Sequence, residues 1–217
     1  APLAALLKAG DNQVKIAAIT ALAAIQGAQA IPTLLEALRQ PQDEPVLQQL
    51  KTVLLTLPYP PMAAGAKKAY ATAPIPSQKL LLDLMIRRRD STIEKMLLQA
   101  ATRGDESVRL LALKGLESLG TESSLNALLG MYVKETSHLQ RAIQNAVVEL
   151  VKRTPKSAAA VRTFTQQGTV EQQITCCVSG AALAAPVPCK WSNPSPRSQD
   201  CRKRRCAPCW SGRTSVH

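Results

Sequence analysis

Aromatic side chains are scarce in this 217-residue chain: Phe, Trp and Tyr together make up 3% of it. Residues 1–154 contain no Phe, no Trp and no Cys, and their aromatics are Tyr59, Tyr70 and Tyr132. A surface this poor in aromatics is ill suited to stacking on nucleic-acid bases. Without Cys, residues 1–154 need neither disulfides nor a thiolate metal site, and they give no indication of redox compartment. No run of about 18 apolar residues is free of charge or strong polarity, so no membrane insertion is expected. No period-two alternation predicts a strand in residues 1–154, and therefore no strand precedes a Gly-rich phosphate loop. The start, Ala1-Pro2, has neither an initiator Met nor the pattern of a secretion signal. The expectation is a start inside a longer protein, with any targeting signal upstream and the cytoplasm as the default location.

What is abundant is Ala and Leu, within a chain that is 46% hydrophobic. That is material for helix packing. The formal charge of +12 is unevenly placed: residues 1–154 hold 18 Lys/Arg against 13 Asp/Glu, and residues 155–217 hold 9 against 2.

A repeat organises the first part. Asp11-Asn12-Gln13-Val14-Lys15, Asp43-Glu44-Pro45-Val46-Leu47 and Asp105-Glu106-Ser107-Val108-Arg109 each lead from an acidic turn into an apolar helix. The first two Asp are 32 residues apart and the next pair 62, so copies are expected to open near 74 and 136. Pro74-Ile75-Pro76-Ser77-Gln78 and Thr136-Ser137-His138-Leu139-Gln140 stand there. A period of about 31 residues over five units is the signature of a helical-repeat array.

Apolar residues recur three, seven, eleven and fourteen positions after the turns at 11, 105 and 136, in Val14, Ala18, Leu22 and Ile25, in Val108, Ala112, Leu116 and Leu119, and in Leu139, Ile143, Val147 and Leu150. These steps place one stripe along a helix. A second column ten positions after the turn, Ala21, Val53, Leu84, Gly115 and Ala146, is mostly small and predicts close helix approach at Gly115. Second helices are expected over 14–26, 46–57, 77–89, 108–119 and 139–153. Shorter first helices are expected over Pro2–Lys8, Thr33–Arg39, Met62–Ala71, Thr92–Thr102 and Ser123–Lys134. Asp11, Asp43 and Asp105 are read as helix caps, because an N-cap carboxylate accepts bonds from unpaired amides and suits the positive helix end. Recurrence at the repeat period gives them a structural cause and leaves no catalytic Asp to name. Leu3, Leu6 and Leu7 are expected to meet a preceding repeat. The third unit, with Pro58, Pro60, Pro61, Gly65, Pro74 and Pro76, is expected to bend, carry a longer connection or be mobile, with Tyr59 and Tyr70 covering it.

The run from Asp105 to Gly120, and a second copy from Asp11 to Ile25 followed by Gly27, resemble the bacterial HEAT-like repeat named after the phycobilisome lyases. The resemblance implies an all-α, right-handed α-solenoid of about five helical hairpins over residues 1–154. That repeat occurs in bilin lyases, in scaffolds and in large multidomain proteins, some of which carry c-type cytochrome modules. Haem attachment would need Cys-x-x-Cys-His, and Cys206-Ala207-Pro208-Cys209-Trp210 has no His there. No cofactor is expected. HEAT-like DNA glycosylases share the architecture, but their aromatic-lined face has no counterpart here.

In such solenoids the second helices line the inner curve. The five second helices carry 11 Lys/Arg against Asp83, Glu117 and Glu149. Lys15, Lys51, Lys79, Arg87, Arg88, Arg89, Arg109, Lys114 and Arg141 are the candidate partner-binding cations, for an acidic protein or peptide first and nucleic acid second. The plainer reading is that they solubilise exposed faces and pair with nearby Glu; Arg87-Arg88-Arg89 also suits a helix C-terminus. His138 is read as part of a helix start, since no second His or Cys accompanies it in residues 1–154. The leading expectation is a noncatalytic binding or scaffold module. Nucleic-acid binding and a lyase or glycosylase activity are the alternatives.

Beyond the array, residues 155–168 suit one capping helix, and 169–217 lose all periodicity. The six Cys, at 176, 177, 189, 201, 206 and 209, all lie there beside Arg202-Lys203-Arg204-Arg205. Cys189, Cys201, Cys206 and Cys209 are weak zinc candidates, because the two-knuckle spacing is missing. Disulfides, an unstructured basic tail and a stretch translated out of its original frame are the competing readings.

Overall fold

A computed structural model describes residues 2–8, 11–132, 134–135 and 137–154. The expected capping helix over 155–168 and the zinc candidates Cys189, Cys201, Cys206 and Cys209 lie outside the described residues. The described chain is all-α. Its helices are α1 (Pro2–Leu6), α2 (Asn12–Gln26), α3 (Ile31–Ala37), α4 (Glu44–Thr56), α5 (Pro60–Tyr70), α6 (Ile75–Arg87), α7 (Glu94–Arg103), α8 (Glu106–Leu119), α9 (Glu122–Tyr132) and α10 (Ser137–Arg153). Short 3-10 turns, Gly27–Ala30 and Ser91–Ile93, precede α3 and α7.

These pair into five units, α1–α2, α3–α4, α5–α6, α7–α8 and α9–α10. The even-numbered helices begin at 12, 44, 75, 106 and 137, reproducing the expected period two residues earlier than the apolar stripe suggests. The extra residues are helix-start chemistry: Pro45 and Pro76 occupy the first turn, where a missing amide costs no hydrogen bond. Each even-numbered helix packs on the next, α2 on α4, α4 on α6, α6 on α8 and α8 on α10. The odd-numbered helices form the other layer, with α3 against α5 and α7 against α9. The arrangement is a repeating stack of helical hairpins, in which each unit is stabilised mainly by its neighbours.

One core runs between the layers through Leu22, Leu34, Leu50, Leu54, Met62, Leu81, Met85, Leu97, Leu116, Leu128 and Leu150, all essentially inaccessible to solvent. Burying each such side chain favours folding by roughly 1.5–3 kcal/mol. Gly115 shows why the tenth-position column is small. A Cβ there would lie 2.7 Å from Ile86 Cδ1 and 2.9 Å from Leu97 Cδ2, so α8 approaches α6 and α7 too closely for a side chain.

Several expectations are corrected. In unit 1 the ends of the stripe are not covered: Val14 is 36% and Ile25 72% exposed, whereas Val108 and Leu150 at the same positions are buried. Leu7 is buried and Leu3 packs on the core, while Leu6 is largely exposed. Asp11 and Asp105 do cap α2 and α8 by accepting from Gln13 N at 2.8 Å and Ser107 N at 3.0 Å. Asp43 makes no such bond; its carboxylate accepts instead from Asn12 Nδ2 of the preceding unit, at 2.7 Å. Unit 3 has no long connection, since residues 57–59 join α4 to α5 and residues 71–74 join α5 to α6.

Residues Asn12–Ala37 are long and apolar enough in composition to cross a membrane. They do not form one straight helix. Gly27, at φ 52°, ends α2 after 15 residues, about 22 Å of rise, and the 3-10 turn redirects the chain into α3. Both helices then pack into the stack against α4.

Candidate partner-binding surface

Helix starts spaced by 31 residues put equivalent side chains of α4, α6, α8 and α10 side by side. Three outward rows cross these four helices. They are Gln48, Lys79, Leu110 and Arg141; Thr52, Asp83, Lys114 and Asn145; and Thr56, Arg87, Ser118 and Glu149. Asp83 and Glu149 are half-buried in these rows and the other ten side chains are exposed. Helix period explains the choice of rows: positions five, nine and thirteen after each turn lie on the stripe opposite the core.

The nine cations singled out from the sequence have different fates. Lys51 Nζ and Arg87 Nε each reach Asp83 Oδ2 at 2.9 Å. Burial raises the Asp83 pKa, but the bonds from Lys51 and Arg87 outweigh it and hold the carboxyl below its usual value. Arg88 bends away from the rows and donates to the carbonyls of Leu55 and Leu57, the latter at 2.9 Å. These are C-terminal groups of α4 that have no partner within their own helix. Arg109 donates to Ala101 O at 2.8 Å and pairs with Glu135. Lys79 is close enough to Asp105 to favour its ionised form, behind the stronger effect of the Ser107 bonds. Lys114 acts in the same sense on Glu117, whose carboxyl is nevertheless pushed up, first by burial and then by Glu149. The side chains of Lys15, Arg89 and Arg141 make no hydrogen bond or ion pair among the described residues. His138 is exposed in the first turn of α10.

A set of polar struts between units was not foreseen. Asp90 Oδ2 accepts from Tyr59 Oη at 2.7 Å and pairs with Lys67 Nζ at 3.3 Å, while Oδ1 accepts from Thr92 N at 2.9 Å. Although burial raises its pKa, these bonds prevail and the Asp90 carboxyl ionises at about 2. Burial and the adjacent carboxylate push the Tyr59 hydroxyl well above its ordinary range. Glu94, where burial is likewise outweighed, is held below the usual carboxylate range by bonds from Thr121 and Ser123. Arg153, ending α10, donates to the carbonyls of Ser118 at 2.8 Å and Gly120 at 3.2 Å, just as Arg88 serves α4. The signal was in the spacing: Asn12 and Asp43, Tyr59 and Asp90, and Leu57 and Arg88 are each 31 residues apart.

Leu110 was also missed as a surface residue. It is 38% exposed and sits between Lys79 and Arg141 in the first row, one repeat period from each. Ile75, at the start of neighbouring α6, is 47% exposed. Among the described residues no group of three or more His, Cys, Asp or Glu is placed to hold a metal ion.

Among known families, HEAT repeats match residues 1–54. That match covers α1 to α4 nearly to its end and is consistent with the helical-hairpin stack. No curated protein matches the chain.

Proposed function

We propose that this protein is a noncatalytic scaffold that binds a partner protein on the exposed face of the α2, α4, α6, α8 and α10 layer. In this reading the stack is a right-handed HEAT-like solenoid of the phycobilisome-lyase repeat type, and that layer lines its inner curve. One observation carries the proposal. The carboxylates held below their usual range, Asp83, Asp90, Glu94 and Asp105, are bound by side chains or amides of the stack itself, while the outward rows combine Leu, amide, hydroxyl and cationic side chains. Protein interfaces use such mixtures. Nucleic acid needs instead a continuous track of cations. Here Asp83 and Glu149 interrupt the track, and the hydroxyls of Tyr59 and Tyr132 are already engaged, by Asp90 and Gln144.

The test places a photoreactive side chain at Asn145, on the even-numbered layer, or at Asn126, exposed on α9 of the other layer. In cells of the source organism, a discrete protein adduct from position 145 and none from 126 is the expected result. Equal labelling from both layers overturns the assignment of the face. In parallel, tight binding of the full chain to duplex DNA with a steep salt dependence, lost in Arg141→Glu, would replace this reading with nucleic-acid binding.

A further inference from the structure

We infer that the row formed by Lys79, Leu110 and Arg141 is a binding site for an acidic protein segment with one apolar anchor, which seats on Leu110 between the two cations. This deepens the scaffold reading and rests on it. The three residues occur at steps of one period, 31 residues each, on α6, α8 and α10. These helices pack consecutively, so the side chains stand abreast rather than along one helix. Packed helix axes are about 8–10 Å apart. The row therefore presents an apolar centre with a positive charge about that distance to either side.

Each member has something left to offer. Leu110 is 38% exposed although both of its row neighbours are polar, and Ile75 adds a second exposed apolar side chain at the start of α6. Arg141 is exposed and has no ion-pair or hydrogen-bond partner among the described residues. Lys79 is exposed, and Asp105, the carboxylate whose ionised form it favours, already receives the Ser107 hydroxyl and amide. Three other cations of the layer are less available, since Lys51 and Arg87 share Asp83 and Arg109 holds Glu135.

Charge complementarity identifies the occupant as a segment with Asp or Glu flanking Leu, Ile, Phe or Met. A phosphate backbone would use the two cations but gain nothing from Leu110. It would also meet Asp83 in the adjoining row. A purely apolar partner would leave the cations without a role. Interface anchors are apolar side chains seated centrally and surrounded by a polar rim, and this row has that plan in miniature.

The experiment selects random 12-residue peptides displayed on phage against the immobilised full chain, and then measures the enriched peptides by fluorescence anisotropy. The expected peptides carry an apolar residue flanked by Asp or Glu. Their affinity falls about tenfold or more in Leu110→Ser and again in Lys79→Glu/Arg141→Glu, with unchanged thermal unfolding because all three sites are exposed. Enriched peptides that bind Leu110→Ser as well as the parent, or that lack acidic residues, overturn this site while leaving the scaffold reading in place. No enrichment, together with duplex DNA binding that depends on Lys79 and Arg141 but not on Leu110, removes both.

Discussion

Two successive joints in this stack are built in opposite ways. Between units 3 and 4, Gly115 lets Ile86 of α6 come into direct contact with the α8 backbone, which Leu97 of α7 meets from within unit 4, and the packing there is apolar and tight. Around the entry to unit 3 the contacts are directed: Arg88 of α6 reaches back across the joint with unit 2 to the carbonyls of Leu55 and Leu57, and Tyr59 and Lys67, at the start of α5 and within it, hold Asp90 just after α6. The prolines sharpen the need for such bonds at this joint, while Arg153 serves the end of α8, where no proline stands, in the same way. Pro58, Pro60 and Pro61 stop α4 and leave its last carbonyls without continuing amides, so the next unit supplies the donors. Close packing fixes a regular joint, whereas an interrupted one needs bonds with direction.

The largest effect should come from the apolar joint. Leu97→Ala removes a fully buried side chain from beside Gly115 and is expected to destabilise the fold by about 3 kcal/mol, measured by urea denaturation. A loss below about 1 kcal/mol would mean that this joint is looser than its geometry. The polar joint should respond less at neutral pH but much more to acid. The Asp90 carboxyl ionises at about 2 in the fold against 3.8 ordinarily, so its pKa is depressed by folding. Its contribution, about 2 kcal/mol, is fully present above pH 4 and is lost as pH falls through 2. Asp90→Asn is expected to lower stability by about that amount at neutral pH and to flatten the dependence between pH 4 and pH 2. An unchanged acid profile would show that the bonds to Tyr59, Lys67 and Thr92 do not hold the carboxylate in solution.

The contrast between the joints also separates what the sequence disclosed from what it withheld. Hydrophobic burial is nondirectional and periodic, so a column of apolar and small residues at 31-residue spacing was enough to place the even-numbered helices and the packing role of Gly115. Hydrogen bonds depend on where a side chain points. Asp11, Asp43 and Asp105 occupy equivalent positions, yet Asp43 reaches Asn12 across the unit boundary instead of capping its own helix. In the Pro-rich third unit the prolines are visible in the sequence and the bonds around Asp90 are not. On the surface, counting cations over the second helices overstated their availability, because Arg88 and Arg109 turn toward backbone carbonyls. Leu110 is hidden by its residue type, which matches the apolar residues around it in α8; its register, shared with Gln48, Lys79 and Arg141, is what places it outward, unlike Leu113 and Leu116.

A smaller gain should follow from repairing an imperfection in unit 3. Ser77 is completely buried at the position held by Val46 and Val108 in units 2 and 4, and its hydroxyl has no partner. Ser77→Ala removes an unsatisfied polar group without adding volume and is expected to stabilise the protein by about 1 kcal/mol in the same denaturation assay. A destabilised variant would mean that the hydroxyl is satisfied in solution, and that the polar character of this region extends into its core.

The smallest effect compares two helix ends with the same backbone angle. Gly27 after α2 and Arg89 after α6 both stand at φ 52°, which glycine adopts without a Cβ clash and arginine does not. The turn at Arg89 is nevertheless well formed, with Arg89 N donating to Ile86 O at 2.9 Å and Asp90 N to Met85 O at 3.2 Å. That is the bonding of a helix terminus that ordinarily carries glycine. Its neighbours pin it there: Arg88 is tied to α4, and Asp90 to Tyr59 and Thr92. The exposed Arg89 side chain adds no bond among the described residues, so Arg89→Gly should relieve the strain and raise stability by up to about 1 kcal/mol, the entropy of a freer unfolded chain taking back part of the gain. A loss instead of a gain would show that the Arg89 side chain itself secures the polar joint, and that the bonds of Arg88 and Asp90 alone are not sufficient to hold the proline-interrupted unit in place.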